Sequence, residues 1–572
     1  MNIQILTCEF LNALGANGPF IWQISCLILL VVLVLAATKS ENSKSLMEKF
    51  RWMKCLQRDE TFLTLAVIML FVGNFPSFSR YECSADESEW MASAITLKQN
   101  PEFWLKYHFN WTRPLTVIPI YFLNLTGFEI GYGSIKVLQT LLMAFSGFIL
   151  FKTIRIFSDS RTAKVCTLPF FALHTLMTHR EMVAYNSEDI AATIIAVAVY
   201  VWYKILDEGP NSNRLLLVSL GILTSSTLLA KTQAIPIAGY VGLMGVIVVR
   251  SDLKKVFWIC FGALLPIGAV LLLMYQNGVL DEFIYKYAGI IHYTNVSADG
   301  SSPGYDGKVI IGLRMMYKFH DTRFFFMGIT MSFIILLWVI LSCKMRYFKM
   351  GSVFSVLFFL ISFICICIPG NAHYYYLNFL PFAFSILLGS HMAKICGFKG
   401  KRAPRYFLKT GPWVICVLTS LIPSLSLIGD GNEAFEHLDT NTYLGARVDP
   451  IPARIQEISK KQASLAIWGY LPRIHVECER SFGVRFPTPY YIVNNYPIKS
   501  KLLKSYAHDL NHNKPLFFLH AAGSKHQILG KAEHSYLNFP SISAIIQRDY
   551  SLLIESGKMQ LFIRNKTHSR TY

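Results

Sequence analysis

Long apolar runs separated by short polar connections make up the first three quarters of the chain. Twelve of these runs come close to the roughly 20 residues that a helix needs to cross the hydrocarbon core of a bilayer. We therefore predict about twelve membrane spans. The predicted spans are Phe20–Thr38, Thr61–Phe78, Ile135–Phe151, Ala163–Met177, Ile190–Tyr203, Leu215–Ala230, Ala234–Val249, Val256–Tyr275, Phe324–Ser342, Val353–Ile368, Leu377–Met392 and Trp413–Ile428.

The last quarter of the chain has a different pattern. After Ile428, short apolar stretches such as Ala463–Trp468 and Leu516–His520 alternate with turn residues. This alternation is typical of a small soluble domain of mixed α/β structure. We therefore predict two domains: a membrane all-α, multi-span helical bundle over residues 1–430, and a soluble mixed α/β domain over residues 431–572, which we call the tail.

The basic residues predict the orientation of the bundle. They gather in every second connection, over residues 44–58, 155–164, 204–214, 250–255, 344–349 and 399–409. Because short connections rich in Lys and Arg stay on the cytoplasmic side, the other connections are expected to face outward. Two of these outer connections are long, residues 79–134 and 276–323, and the tail is expected on the same side.

Composition agrees with a membrane protein and narrows the classes of function. Of 572 residues, 53% are hydrophobic and 16% are charged, whereas about 25% are charged in an ordinary soluble domain. The 54 Lys and Arg against 35 Asp and Glu give a net charge of +19. These cations are spread over the inner connections, so no nucleic-acid partner is expected. The sequence also contains no P-loop, no HExxH motif and no CxxC pair.

Three carboxylates lie at the start of the first long outer connection. Asp86, Glu87 and Glu89 belong to the segment Ser84–Trp90, a few residues after the second span. Acids beside a membrane are costly unless they are solvated, paired or used. One interpretation is structural, because Ser84 and Glu87 have the spacing of a helix capping box. The other is catalytic, because a helix N-terminus holds an acid rigidly, and both can be true.

Other polar side chains lie at further outer turns. Arg113 could bind a lipid phosphate through two of its guanidinium nitrogens, or could be an arginine whose side chain extends to the membrane interface. Lys231 lies at the outer end of the sixth span, a usual place for an interfacial anchor. The remaining candidates are Glu188 and Asp189, which begin the fifth span, and His373 and Tyr375, which lie where the tenth span emerges.

In their order along the chain, these motifs resemble those of the GT-C glycosyltransferases. They are similar in particular to the bacterial branch that includes aminoarabinose transferases of lipid A and protein O-mannosyltransferases. The matching segments are Asp86-Glu87, Arg113-Pro114-Leu115, Leu229–Thr232, His373–Pro381 and, in the tail, Ile467–Pro472. Trp90 and Glu89 depart from the pattern, since the family often has a tyrosine and a basic residue there.

The resemblance implies transfer of a sugar from a polyprenyl-phosphate-linked donor to a glycan, lipid or protein acceptor of the cell envelope. It implies Asp86 as the general base, with Glu87 orienting it or helping to hold a divalent ion, and Glu188 or Asp189 as a second acid at the acceptor site. By analogy with part of the family, a divalent cation, Mg²⁺ or Mn²⁺, could be held at Asp86 and Glu188. The implied residues that bind the donor phosphate are Arg113, Lys231, His373 and Tyr375.

The second long outer connection is expected to act as a gate that the lipid orders, with Tyr287, His292 and Arg314 as its functional residues. The implied location is a bacterial inner membrane, with the active site facing the periplasm and membrane lipids around the bundle. A transporter or flippase is the main alternative, but it would place ionisable residues near the middle of the membrane. A glycan polymerase or ligase, and a membrane-anchored binding protein, are further alternatives.

Overall fold

The computed structural model describes residues 3–14, 18–38, 58–109, 113–176, 179–284, 308–311, 313, 350–369, 373–397, 450–460, 462–493, 499–522 and 529–565. Within these residues, the chain is helical up to residue 397, and four strands follow after residue 450. The predicted spans 324–342 and 413–428 lie outside the described residues, as does the predicted domain boundary near residue 430.

Thirteen helices form the described part of the bundle. In chain order they are α1 (Ile3–Leu14), α2 (Gly18–Thr38), α3 (Asp59–Asn74), α4 (Ala85–Gln99), α5 (Pro114–Leu125), α6 (Tyr132–Phe157), α7 (Ser160–Leu176), α8 (Ser187–Glu208), α9 (Arg214–Ala230), α10 (Ile235–Val249), α11 (Leu253–Gln276), α12 (Met350–Cys367) and α13 (Phe379–Gly397). Short helical turns lie between them at Phe75–Ser79, Pro101–Phe103, Trp104–His108, Arg180–Val183, Gly209–Asn211, Thr232–Ala234 and Tyr374–Asn378.

Seven segments in the described part of the chain are long and apolar enough to cross a membrane. They are Gly18–Thr38, Asp59–Ser79, Tyr132–Phe157, Ser187–Asn211, Thr232–Val249, Leu253–Gln276 and Met350–Cys367. The protein is therefore an integral membrane protein with a mostly helical fold. Ten of the twelve predicted spans coincide with helices α2, α3 and α6 to α13, and the total of twelve stays a prediction.

Glycines allow α9 and α11 to pack with their backbones in close contact. A Cβ atom at Gly221 would lie 2.1 Å from the carbonyl oxygen of Ile259, and one at Gly262 would lie 2.2 Å from that of Val218. No side chain fits at either position. Small residues at helix contacts are typical of membrane bundles, where close packing replaces the hydrophobic drive that water provides.

The described part of the tail contains a four-stranded sheet with helices around it. Its elements are α14 (Pro450–Ile458), β1 (Leu465–Trp468), α15 (Arg473–Cys478), α16 (Lys499–Asn513), β2 (Phe517–His520), α17 (Pro540–Asp549), β3 (Tyr550–Ser556) and β4 (Met559–Arg564), with single turns at Tyr490–Val493, Ala532–His534 and Tyr536–Asn538. The strand order is β1-β2-β4-β3. The β1–β2 pair is parallel, and the other two pairs are antiparallel.

Alternate residues of the two parallel strands supply separate apolar clusters. Along β1, Leu465 and Ile467 join one cluster, whereas Ala466 and Trp468 join the other. Because successive side chains of a strand point to opposite faces, the sheet is covered on both faces. This coverage explains why the whole of β1 is buried and reads as a continuous apolar run.

The tail packs directly on the outer helix α4. Phe482 of the tail belongs to the same apolar cluster as residues of the bundle, and its backbone N–H donates to Oγ1 of Thr96 over 3.0 Å. The amide of Gln99 donates to the carbonyl of Glu479 over 2.9 Å. The ring of His108 stacks on Phe482 with centroids 4.2 Å apart. Specific contacts therefore fix the tail against α4 and the turn that carries His108.

Candidate active site

Arg113 lies at the N-terminal end of α5, immediately before Pro114. Its φ of 46° is in the left-handed region, which costs a non-glycine residue roughly 1–3 kcal/mol and persists only where the surroundings enforce it. Nη1 of Arg113 donates to Oγ of Ser187 over 2.7 Å, and the guanidinium carbon lies 5.7 Å from the ring centroid of Trp90. These contacts hold a half-buried cation in one orientation.

Glu188 and Lys231 form an ion pair beside Arg113. Glu188 is in the first turn of α8 and Lys231 follows the last residue of α9. Nζ of Lys231 lies 2.5 Å from Oε1 of Glu188, and the two side chains are only 8% and 1% exposed. Oε2 of Glu188 accepts a hydrogen bond from the Ser187 hydroxyl over 3.0 Å. One carboxylate is thus connected to both cations, directly or through Ser187.

The two cations of this group repel each other, and Glu188 and Asp86 attract both of them. Burial disfavours the charge of Arg113, but Glu188 and Asp86 raise its pKa above the ordinary value. Burial and the proximity of Arg113 lower the pKa of Lys231. The Lys231 ammonium also lies 5.7 Å and 5.4 Å from the ring centroids of Tyr375 and Tyr376. An anion placed between the two cations would therefore relieve their repulsion.

Asp86 lies in the first turn of α4, close to these cations. Ser84 caps the helix by accepting a hydrogen bond from the Asp86 N–H over 3.3 Å. The half-buried carboxylate of Asp86 accepts a hydrogen bond at Oδ1 from the hydroxyl of Tyr470, over 3.0 Å. Its charge also acts on Arg113 and Lys231. An acid, two cations and a tail tyrosine therefore meet at the end of the bundle that contacts the tail.

Glu87 has a different role from its neighbour. Its buried carboxylate accepts hydrogen bonds from the backbone N–H groups of Cys83 and Tyr185, over 3.1 and 3.3 Å. Oε2 also lies 3.8 Å from Nζ of Lys136, and both side chains are fully buried. Burial raises the pKa of Glu87, while Lys136 and the two N–H groups oppose that rise. Glu87 joins loops, and it does not reach back to Ser84 as a capping box requires.

Asp189 is also used by the fold. One oxygen accepts the N–H of Asn186 over 2.8 Å, which completes the capping box of α8. The other oxygen accepts from the side-chain amide of Asn378 over 2.7 Å. Of the two predicted acids at this turn, Glu188 therefore contacts the cations, and Asp189 fixes the start of the helix.

His373 and Tyr375 lie on the turn that follows α12. Nδ1 of His373 is 3.8 Å from Oε1 of Glu181, and its ring stacks on Tyr375 with centroids 5.0 Å apart. The backbone N–H of Tyr374 donates to the other Glu181 oxygen over 2.8 Å. Burial opposes the charge of His373, but the Glu181 carboxylate raises its pKa above the ordinary value. His373 can therefore contribute a third positive charge near Asp86.

Comparison with known proteins identifies the architecture. No family model matches the sequence, and no curated protein matches it either. The chain is similar to the crystal structure of ArnT from Cupriavidus metallidurans bound to undecaprenyl phosphate, with 11% identity over 87% of this chain and 96% of the other and a TM-score of 0.53. The apo state of the same protein matches over the same shares, with 11% identity and a TM-score of 0.50. The chain has the GT-C fold.

The chain also has a weaker similarity to the structure of a second protein. The Archaeoglobus fulgidus oligosaccharyltransferase, tethered with an acceptor peptide containing the NVT sequon, matches over 88% of this chain and 73% of the other. Its identity is 10% and its TM-score is 0.48. The predicted GT-C resemblance is confirmed as a fold, and function has to be argued from the site, because one fold hosts many activities.

The predicted site residues of this GT-C chain divide into three groups. Asp86, Arg113, Glu188 and Lys231 are brought together, with His373 and Tyr375 beside them. Glu87 and Asp189 are adjacent in sequence but bonded within the fold. The predicted gating residues Tyr287, His292 and Arg314 lie outside the described residues.

The carboxylates of this site are a poor fit to a metal ion. In the described part of the chain, no group of three or more His, Cys, Asp or Glu side chains is arranged to hold one. Glu188 is already in contact with the ammonium of Lys231, and Asp86 accepts a hydrogen bond from Tyr470. Lys231 supplies positive charge at the place where a cation would contact Glu188.

Two residues that contact this site, Tyr470 and Ser187, are not among those that the sequence predicts. Tyr470 lies 384 positions from Asp86 along the chain, and Ser187 connects Arg113 to Glu188. The segment Ile467–Pro472 was recognised as the opening of the tail, and that segment was the available signal for Tyr470. Nothing in the local pattern around Ser187 distinguishes it from an ordinary capping serine.

Proposed function

We propose that this protein is an integral-membrane glycosyltransferase. It transfers a sugar from a polyprenyl-phosphate-linked donor to a hydroxyl of a cell-envelope glycan, lipid or protein on the outer side of the membrane. The observation that carries the proposal is the meeting of Arg113, Lys231 and Asp86, two cations for a phosphate and one half-buried acid. The similarity to ArnT, which was solved bound to undecaprenyl phosphate, supports the same class of donor.

The two cations suit the phosphate of a lipid donor. A guanidinium can bind two phosphate oxygens at once, and an ammonium adds a point charge. A donor phosphate between Arg113 and Lys231, which share one carboxylate, would reduce the repulsion between the two cations. During transfer the lipid phosphate gains negative charge as it leaves, and fixed cations at that point stabilise the transition state more than the ground state.

Asp86 is suited to accept the proton of the acceptor. In the proposed step, the acceptor oxygen forms a bond to the anomeric carbon while the bond from that carbon to the donor phosphate oxygen breaks. The hydroxyl proton moves to Asp86, and the lipid phosphate leaves with the electron pair. General base catalysis of this kind contributes typically about 10²- to 10⁴-fold to the rate.

A divalent cation is not needed for this step. The sequence allows Mg²⁺ or Mn²⁺ at Asp86 and Glu188, but Glu188 already contacts Lys231. Positive charge from Arg113, Lys231 and His373 can stabilise the leaving phosphate without a metal. The proposed step therefore involves no metal ion.

The proposed topology follows from the orientation that the basic connections predict. We infer twelve spans, cytoplasmic basic connections, and an outer face that carries the site and the tail, in a bacterial inner membrane. The domain division at residues 430 and 431 belongs to this proposal, as does the gate in the second long outer connection. With a membrane domain and a soluble domain arranged in this way, the reaction takes place at the membrane surface, where the phosphate of a polyprenyl phosphate lies.

The experiment that tests the proposal measures binding of undecaprenyl phosphate to the protein in nanodiscs. The lipid should raise the unfolding temperature of the wild type, because it binds only the folded protein. Arg113→Ala and Lys231→Ala should each weaken binding by about tenfold or more, since each removes a charge-assisted contact. Lys106→Ala, which removes an exposed cation on a neighbouring outer turn, serves as the matched control.

Two outcomes would contradict the proposal. One is a wild-type protein whose unfolding temperature does not respond to undecaprenyl phosphate. The other is equal loss of binding in Lys106→Ala and in the two site variants, which would mean that any outer cation attracts the lipid non-specifically.

A further inference from the structure

We infer that Tyr470 of the tail is a positioning residue for Asp86, so that the catalytic site is complete only when the tail is docked. The inference rests on the proposed function, in which Asp86 is the general base. Its basis is the hydrogen bond from the Tyr470 hydroxyl to Oδ1 of Asp86, over 3.0 Å, between residues 384 positions apart.

The tail presents Tyr470 from a rigid edge of its sheet. Tyr470 follows β1 directly, at the carboxyl end of a fully buried strand. Trp468 donates its indole N–H to the carbonyl of His534 over 2.8 Å. At Gly469, a Cβ atom would lie 2.8 Å from the Cβ of Ala521, so the two parallel strand ends touch there. These contacts leave the turn that carries Tyr470 little freedom.

The docked face fixes the distance between Tyr470 and the bundle. Helix α15, which begins three residues after Tyr470, packs on α4, the helix that carries Asp86. Arg485 extends the docking, since its guanidinium lies 2.5 Å from Glu282, just beyond the end of α11, while Asp509 of the tail holds it over 2.7 Å. The phenol therefore meets Asp86 as part of an interface with ion pairs and hydrogen bonds of its own.

The Tyr470 hydroxyl is suited to donate. Burial, with the charges of Asp86 and Glu89, raises its pKa well above the ordinary value. The phenol therefore stays protonated at neutral pH and can only donate to a carboxylate. A donated hydrogen bond fixes the orientation of the carboxylate that accepts it, and a general base must be oriented toward the proton that it takes.

The hydrogen bond from Tyr470 keeps the Asp86 carboxylate away from the neighbouring cations. Asp86 lies near cations that bind phosphate in the proposed function, and a free carboxylate would pair with them and be lost as a base. A phenol that holds Oδ1 from the tail side opposes that movement and leaves Oδ2 for the acceptor hydroxyl. The titratable groups on which the charge of Asp86 acts are Arg113, Lys231, His373, Tyr375 and Tyr470.

The test compares Tyr470→Phe with Tyr506→Phe in a transfer assay on the full-length protein in nanodiscs, with an undecaprenyl-phosphate-linked sugar as donor. Tyr506 is the matched control, since it is a buried tyrosine of the tail whose hydroxyl donates to the carbonyl of Ile467 over 3.1 Å, away from Asp86. Tyr470→Phe should lower kcat by about tenfold with little change in donor KM.

The outcomes separate this inference from the proposed function. A wild type that transfers sugar, together with a Tyr470→Phe variant of unchanged kcat, overturns the positioning role alone. An equal fall of kcat in Tyr506→Phe overturns it as well, because it would reflect a weakened tail. Undecaprenyl phosphate binding by Tyr470→Phe checks that the variant is folded. A wild type without transfer contradicts the proposed function, and this inference with it.

Discussion

Asp86 and Glu87 are neighbours in the sequence, yet their carboxylates lie in different surroundings. Asp86 is half-buried beside the cations, and Glu87 is buried beneath it among backbone N–H groups. Glu188 and Asp189 differ in the same way. Adjacent residues of a helix point about 100° apart, so only one of each pair can face the site. The sequence predicts the acidic pairs, but which member faces the site depends on partners that are distant in sequence.

Replacing Glu87 with Ala should impair folding more than chemistry. The change leaves two backbone N–H groups and the buried ammonium of Lys136 without their carboxylate. Breaking a buried ion pair on one side typically costs about 3–5 kcal/mol. The unfolding temperature in detergent should fall clearly in Glu87→Ala and much less in Asp86→Ala. An unchanged unfolding temperature in Glu87→Ala would show that its contacts do not support the fold.

His373 should make donor binding depend on pH. Glu181 raises the pKa of His373 above its ordinary value, so its positive charge is present below that raised pKa and is lost as the pH rises through it. Donor KM should therefore increase as the pH is raised from about 6 to about 9. The increase should be absent in His373→Gln and should begin at lower pH in Glu181→Gln. Identical profiles in the wild type and His373→Gln would exclude this role.

At the scale of helices and strands, the apolar pattern is informative where an element is apolar along its whole length. Helices α2 and α11 were predicted within a few residues of their ends, because lipid and protein both favour apolar side chains there. The aromatic run around Trp104–His108 predicts a helix at the interface, but not the π-helical geometry that this turn has. Its geometry depends on packing of Trp104 and His108 against Ser93 and the tail, which no local pattern records.

The contact between α9 and α11 should depend on glycine. Gly262→Ala places a Cβ atom 2.2 Å from a carbonyl oxygen of α9, so the helices must separate. Overpacking of this kind costs typically about 1–3 kcal/mol, and the unfolding temperature should fall. Gly268→Ala is the matched control, since a Cβ atom at Gly268 of the same helix meets nothing within 4 Å. Equal unfolding temperatures in the two variants would contradict the close contact.

At the scale of the whole molecule, the sequence predicts the bundle but not how the tail meets it. The alternation of basic connections indicates which turns share a side of the membrane, and the site residues of α4, α5, α8 and α9 come from turns predicted outside. The contacts from Tyr470 to Asp86, Phe482 to Thr96 and Arg485 to Glu282 join parts of the chain more than 200 residues apart. Only the folded tail brings these residues together.

In the proposed function, Asp86 acts as the base in sugar transfer from a lipid phosphate. The most direct measurement is release of undecaprenyl phosphate from undecaprenyl-phosphate-linked hexose and pentose donors, by protein in nanodiscs supplied with a cell-envelope extract as acceptor. The wild type should release the lipid phosphate, and Asp86→Asn should be slower by about 10²-fold or more, with an unchanged unfolding temperature. Equal release by Asp86→Asn and the wild type, or no release by the wild type from either donor, would contradict the claim.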